Sequence, residues 1–181
     1  YLPVYLLPLV EIVIRPKVGE NYLNQALTFF RAVGKKPVVL RKNSPGYVGT
    51  RLMIALFRES AKIVSSGVCS LEDLDTAFTF GPGLRYALMG PYMVYQLTGG
   101  DGGFKNTMCG PMGQSSEKWL GELCSWDRWP EEVHKHFETD WPAEILDIMS
   151  RREPGTGRDN AELQAFRDKG LLELLRYHKL I

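Results

Sequence analysis

LPLVEIVIRPKVGENYLNQALTFFRAVGKKPVVL, residues 7–40, is the stretch whose pattern decides the fold. Its opening run, LVEIVI (9–14), is short and β-branched, the composition of a buried strand. Residues 20–33 follow with Leu23, Ala26, Leu27 and Phe30 at helical spacing, and Gly34 stands where a C-cap glycine belongs. PVVL (37–40) then reads as a second strand. Strand, helix and strand in about thirty residues suggest the closing β-α-β unit of a parallel sheet. One such unit cannot form an independent sheet.

The pattern changes from Ser44 onward. Residues 46–66 carry Leu52, Met53, Leu56, Phe57, Ile63 and Val64 on an apolar face, with Arg51, Arg58, Lys62 and Ser65 as a polar stripe. Ser70 with Asp73 predicts a capped helix start. GPGLRYALMGPY (81–92) reads as a Gly/Pro-punctuated connector with room for a short helix. Further helices are expected over 92–97, 104–123 and 131–149. REPGTGRDN (152–160) reads as a loop, and Asp159 with Glu162 starts a last helix. The glycines between Gly99 and Gly103 follow no strand and read as a helix break. The expected fold is mainly α, a helical body behind a β-α-β stub.

A length of 181 residues suits one domain plus a piece of a neighbour. Lys and Arg total 22 against 21 Asp and Glu, a balance with no electrostatic footprint for nucleic acid or an anionic membrane. Cys69, Cys109 and Cys124 lack C-x-x-C spacing, so neither a disulfide framework nor a zinc site is expected. The default setting is then a reducing, cytoplasmic one. No apolar run is long enough to cross a bilayer, and the opening residues fit a signal peptide badly. With no initiating Met, Tyr1 reads as the start of a fragment.

Four stretches in register, LLPLVEIV (6–13), FFRAVGKKPVVL (29–40), SPGYVGTRL (44–52) and GPGLRYALMGPY (81–92), resemble the 3-hydroxyacyl-CoA dehydrogenase family. The similarity runs from Tyr1 to about residue 105 along the family pattern. The GPGLR connector looks closest to the L-gulonate and L-carnitine dehydrogenase branches. The resemblance implies two parts. Residues 1–43 would be the C-terminal remnant of a Rossmann-type NAD-binding domain, and 44–181 a helical dimerisation and substrate domain. It implies NAD as cofactor, a small 3-hydroxy substrate (an acyl-CoA of fatty acid metabolism or a hydroxy acid) and a homodimer. No G-x-G-x-x-G occurs, so NAD would be bound mainly upstream. The family's catalytic histidine opens an H-P-F-N-P-P run. Tyr1, Leu2, Pro3 and Val4 would occupy its F-N-P-P positions, and Leu2 and Val4 depart from that pattern. The fragment alone is therefore expected to be inactive. A reading from another class keeps only a non-catalytic helical dimerisation module.

Three residues are candidates for the site. Glu11 is a carboxylate in the middle of an apolar strand, which is expensive unless paired. The resemblance implies that it orients the catalytic histidine; the plainer reading is an edge-strand glutamate facing solvent. Thr50 stands where the family usually has an asparagine that polarises the substrate oxygen, or is a helix-surface threonine. Arg85 offers a guanidinium for a substrate carboxylate or phosphate, or ties down helix-end carbonyls. Lys35, Lys36, Arg41 and Lys42 form a solvated cluster in the plain reading and a CoA phosphate contact in the other. His134, His136 and His178 read as surface residues without metal-ligand spacing. Trp119, Trp126, Trp129 and Trp141 read as helix packing or a dimer contact.

Overall fold

A computed structural model describes residues 2–15 and 19–181. Tyr1, and with it the reading of where the fragment starts, lies outside the described residues. The chain divides into two compact units, Tyr1–Phe57 with Arg167–Ile181, and Arg58–Phe166.

The first unit is built on the expected β-α-β pattern. Strand β1 (Leu9–Val13) and strand β2 (Lys36–Leu40) pair in parallel, with Glu11 opposite Val38. Helix α1 (Glu20–Ala32) forms the crossover, and Gly34 closes it at φ +74°, a conformation that glycine adopts without penalty. Helix α2 (Gly49–Ser65) follows.

The second unit is all helical among the described residues. Helices α3 (Leu71–Phe80), α4 (Pro82–Leu88) and α5 (Pro91–Thr98) are separated by Gly-Pro steps. Ser70 caps α3: its hydroxyl oxygen accepts from the Asp73 N–H at 3.0 Å and donates to the Asp73 carboxylate at 2.7 Å. The Gly99 to Gly103 stretch is the expected break, a single 3-10 turn at Gly100–Gly102.

The expected helix over 104–123 is instead two, α6 (Gly103–Cys109) and α7 (Pro111–Leu120). Gly110 is extended there, and Pro111 has no N–H to continue the ladder. The expected helix over 131–149 also splits, into α8 (Glu131–Glu138) and α9 (Asp140–Ser150). Thr139 leaves the helical region at φ −118°, and its hydroxyl donates to the Lys135 carbonyl at 2.7 Å. Last comes α10 (Asn160–Tyr177), preceded by a loop in which Glu162 accepts from the Gly155, Gly157 and Arg158 amides.

The core of this unit is Ala61, Val133 and Trp141, packed by Val64, Leu71, Trp126, Trp129 and Phe137. Three of the four tryptophans thus serve helix packing, while Trp119 is exposed. The polar stripe of α2 holds the loop carrying Trp126. Arg58 donates to the Trp126 carbonyl at 3.0 Å, Glu59 accepts from the Cys124 N–H at 2.7 Å, and Lys62 lies 5.7 Å from the Trp126 ring centre. His136 is half-buried at the surface, where it stacks on Trp141 and sits 2.9 Å from the Asp140 carboxylate. Among the described residues, no helix is long and apolar enough to cross a membrane.

Candidate functional site

Ser44, Pro45, Gly46 and Tyr47 form a tight turn in which the Tyr47 N–H donates to the Ser44 carbonyl at 2.9 Å. Proline in the second position and glycine at φ +76° in the third are the type II pattern. Tyr47 itself sits at φ +48°, a sparsely used conformation for a bulky residue. This turn delivers the chain into α2 with its first amides unpaired within the helix, as at every helix N-terminus.

Glu11 meets those amides. Its Oε1 accepts from the Val48 N–H at 2.8 Å and the Gly49 N–H at 3.2 Å. A carboxylate suits a helix N-terminus, where unpaired N–H groups and the helix dipole favour negative charge. The odd carboxylate of β1 is therefore half-buried and paired at this helix end. Its second oxygen, Oε2, has no hydrogen-bond partner among the described residues. Sequence reasoning missed the donors because they are backbone groups. The available signal was SPGYVG itself, a Pro-Gly turn opening a helix that has no side-chain cap of its own.

Thr50 follows directly after Gly49 as the second residue of α2, half-buried, so the fold brings Glu11 and Thr50 to one helix end. Arg85 belongs to the second unit, in the last turn of α4. It is exposed, and its guanidinium makes no hydrogen bond or ion pair among the described residues. It ties down no helix-end carbonyl.

The basic cluster of residues 35–42 divides in two. The ammonium of Lys35 is turned to backbone, donating to the Val4 carbonyl at 3.0 Å and the Leu7 carbonyl at 3.5 Å. Arg41 and Lys42 line an open hollow of about 480 Å³ with Arg51, over apolar Val39, Leu40, Val48 and Leu52. None of these residues forms a pyrophosphate cradle. Among the described residues no glycine-rich turn leads from a strand into a helix, and the first turn of α1 carries Glu20, which repels phosphate.

The model of the 3-hydroxyacyl-CoA dehydrogenase C-terminal domain matches residues 46–140, and that of the 3-hydroxyacyl-CoA dehydrogenase NAD binding domain matches residues 1–44. A 3-hydroxyacyl-CoA dehydrogenase of Gibberella moniliformis is 40% identical over 149 residues, 81% of this chain and 42% of that protein. An L-carnitine dehydrogenase of Oceanobacillus iheyensis is 42% identical over 106 residues, 59% of this chain and 34% of its own. That of Streptomyces coelicolor is 34% identical over 174 residues, 96% of this chain and 51% of its own. The chain thus spans about half the length of these relatives, or less. The crystal structure of 5-formyl-3-hydroxy-2-methylpyridine 4-carboxylic acid 5-dehydrogenase, an NAD+-dependent dismutase, superposes with a TM-score of 0.69. It is 24% identical and covers 99% of this chain and 54% of that one, a likeness of fold.

Proposed function

The chain belongs to the 3-hydroxyacyl-CoA dehydrogenase family, and from that premise we propose that the whole protein oxidises an L-3-hydroxy substrate with NAD as hydride acceptor. In this reading residues 1–43 close the dinucleotide-binding domain and residues 44–181 form the helical dimerisation and substrate domain. NAD is held mainly by the part of the protein upstream of this chain, since the sequence carries no G-x-G-x-x-G.

The observation that carries the reading is the state of Glu11. One oxygen is fixed by two amides, and the other is open to a ring N–H of the histidine base, which this reading puts just before Tyr1. A carboxylate fixed in this way orients the imidazole and stabilises the imidazolium formed as the hydroxyl proton leaves. Thr50, one residue past the paired amides, offers its hydroxyl to the substrate oxygen. Threonine is shorter than the family's asparagine, so it reaches less far.

For the substrate, the carnitine dehydrogenase relatives and the unpaired guanidinium of Arg85 support a small hydroxy acid such as L-carnitine or L-gulonate. A guanidinium grips a carboxylate with two parallel hydrogen bonds. The alternative is an acyl-CoA of fatty acid metabolism, supported by the Gibberella relative and by the cationic rim of Arg41, Lys42 and Arg51. The three free cysteines fit a reducing, cytoplasmic setting.

The test is turnover of the full-length protein with NAD and a panel of L-carnitine, L-gulonate and 3-hydroxyacyl-CoA, with Arg85→Lys in parallel. A hydroxy-acid enzyme shows a clearly raised KM for those acids in Arg85→Lys at unchanged melting temperature. A fall in melting temperature would make Arg85 structural and remove the substrate argument. No NAD-dependent turnover with any member would remove the function.

A further inference from the structure

We propose that Tyr5, Lys35 and Asp168 form a clasp on the turn at residues 3–7, and that through this turn they position the base-bearing segment leading into β1. The proposal rests on the function proposed above. All of its parts lie within the first unit.

The turn is closed on itself, the Leu6 and Leu7 amides both donating to the Pro3 carbonyl at 3.1 and 2.9 Å. Lys35 spans it from the entrance of β2, with one ammonium on the carbonyls of Val4 and Leu7. From α10, the Asp168 carboxylate accepts from the Tyr5 hydroxyl at 2.8 Å. Arg167 donates to the same hydroxyl at 3.3 Å and pairs with Asp168 at 2.7 Å. Groups far apart in sequence thus converge on five residues.

Fold stability is a poor reason for this arrangement. Exposed pairs of this kind add little stability, and ordering long side chains opposes them entropically. Tyr5 is 66% exposed, so burial does not account for its place, and its hydroxyl meets both Asp168 and Arg167. Strand β1 is already fixed by its ladder to β2 and by the Lys36 N–H on the Pro8 carbonyl at 2.8 Å. What the ladder does not fix is the direction in which the chain arrives at β1. That direction sets where a base upstream stands relative to Oε2 of Glu11. Catalytic alignment is sensitive to it, since a misplacement of about 1 Å can cost on the order of a hundredfold in rate. The second half of α10 lies beyond both family-matched segments, and the clasp gives it a part in the reaction.

Tyr5, Lys35 and Asp168 are positioning residues, and their test in the full-length protein has two readouts. In kinetics, Tyr5→Phe and Lys35→Met each lower kcat by about threefold to tenfold, the worth of one hydrogen bond to a held group. KM changes little, and the acid limb of the pH–rate profile moves, because the base is less well held against Glu11. Lys35→Arg recovers most of the loss. The double variant loses less than the product of the two single losses, since both act on one turn. In amide hydrogen exchange, residues 2–8 exchange faster in both single variants than in wild type. Unchanged kcat and pH profile in both variants overturns the positioning role. Unchanged exchange overturns the clasp itself. If the wild-type protein shows no NAD-dependent turnover, the function falls and takes base positioning with it, while exchange still decides whether the clasp holds the turn.

Discussion

Glu11 was legible as a candidate because an ionised group in LVEIVI needs a partner, and the family resemblance supplied one in the histidine. The partners it has here, the amides of Val48 and Gly49, were not legible, because a helix end presents backbone donors that no side-chain pattern marks. Lys35 shows a related limit: a lysine beside other cations looks solvated until its carbonyl acceptors are placed. Asp140 takes side-chain partners instead. Hydrogen bonds from His136, and then Thr139, hold its carboxyl below the usual carboxylate range. A carboxylate with a depressed folded-state pKa adds stability above its unfolded value, and loses it as pH falls through the folded one. Acid-induced loosening of the α8–α9 corner is therefore expected to begin below about pH 4, the ordinary range of an aspartate. Asp140→Asn should flatten that part of the stability–pH curve by lowering stability in the neutral region, so that the two proteins converge at acid pH. A curve of the same slope below pH 4 in the variant would show that another group carries it.

At the scale of elements, both strands, the crossover helix and the Ser70 cap could be read from periodicity and turn chemistry, within a residue or two. The breaks at Gly110 and Thr139 could not be read from hydrophobic spacing, which runs on across them. The Gly110–Pro111 step and the Thr139 hydroxyl are local signals that outweigh it. The element on which the site depends most is the Ser44–Tyr47 turn. A Cβ on Gly46 would meet only ordinary contacts, 3.4 Å from the Arg51 side chain and 3.7 Å from that of Thr50. The difficulty with Gly46→Ala is thus the backbone at φ +76°, a strain of about 1 kcal/mol. Gly46→Ala is expected to lower stability by that amount and to lower kcat more than it raises KM, by pulling the Val48 and Gly49 amides off Glu11. A stability loss with unchanged kcat would uncouple the turn from the site.

For the molecule as a whole, the helical unit leaves a run of large apolar side chains uncovered along α4 to α7, among them Leu84, Tyr92, Leu97, Trp119 and Leu120. Exposure on this scale suits the homodimer contact that belongs to the function proposed above. Light scattering of the full-length protein is expected to give a dimer, and a monomer at high micromolar concentration would speak against it. The central claim concerns Glu11, and Glu11→Gln tests it most directly. Glutamine keeps an oxygen for the two amides, so the melting temperature should hold, but it lacks the charge that stabilises an imidazolium. The measurement is steady-state, NAD-dependent oxidation of the preferred 3-hydroxy substrate by full-length wild-type and Glu11→Gln protein. The expected result is a kcat lower by about tenfold or more with KM nearly unchanged. An undiminished kcat in a folded variant would contradict the account.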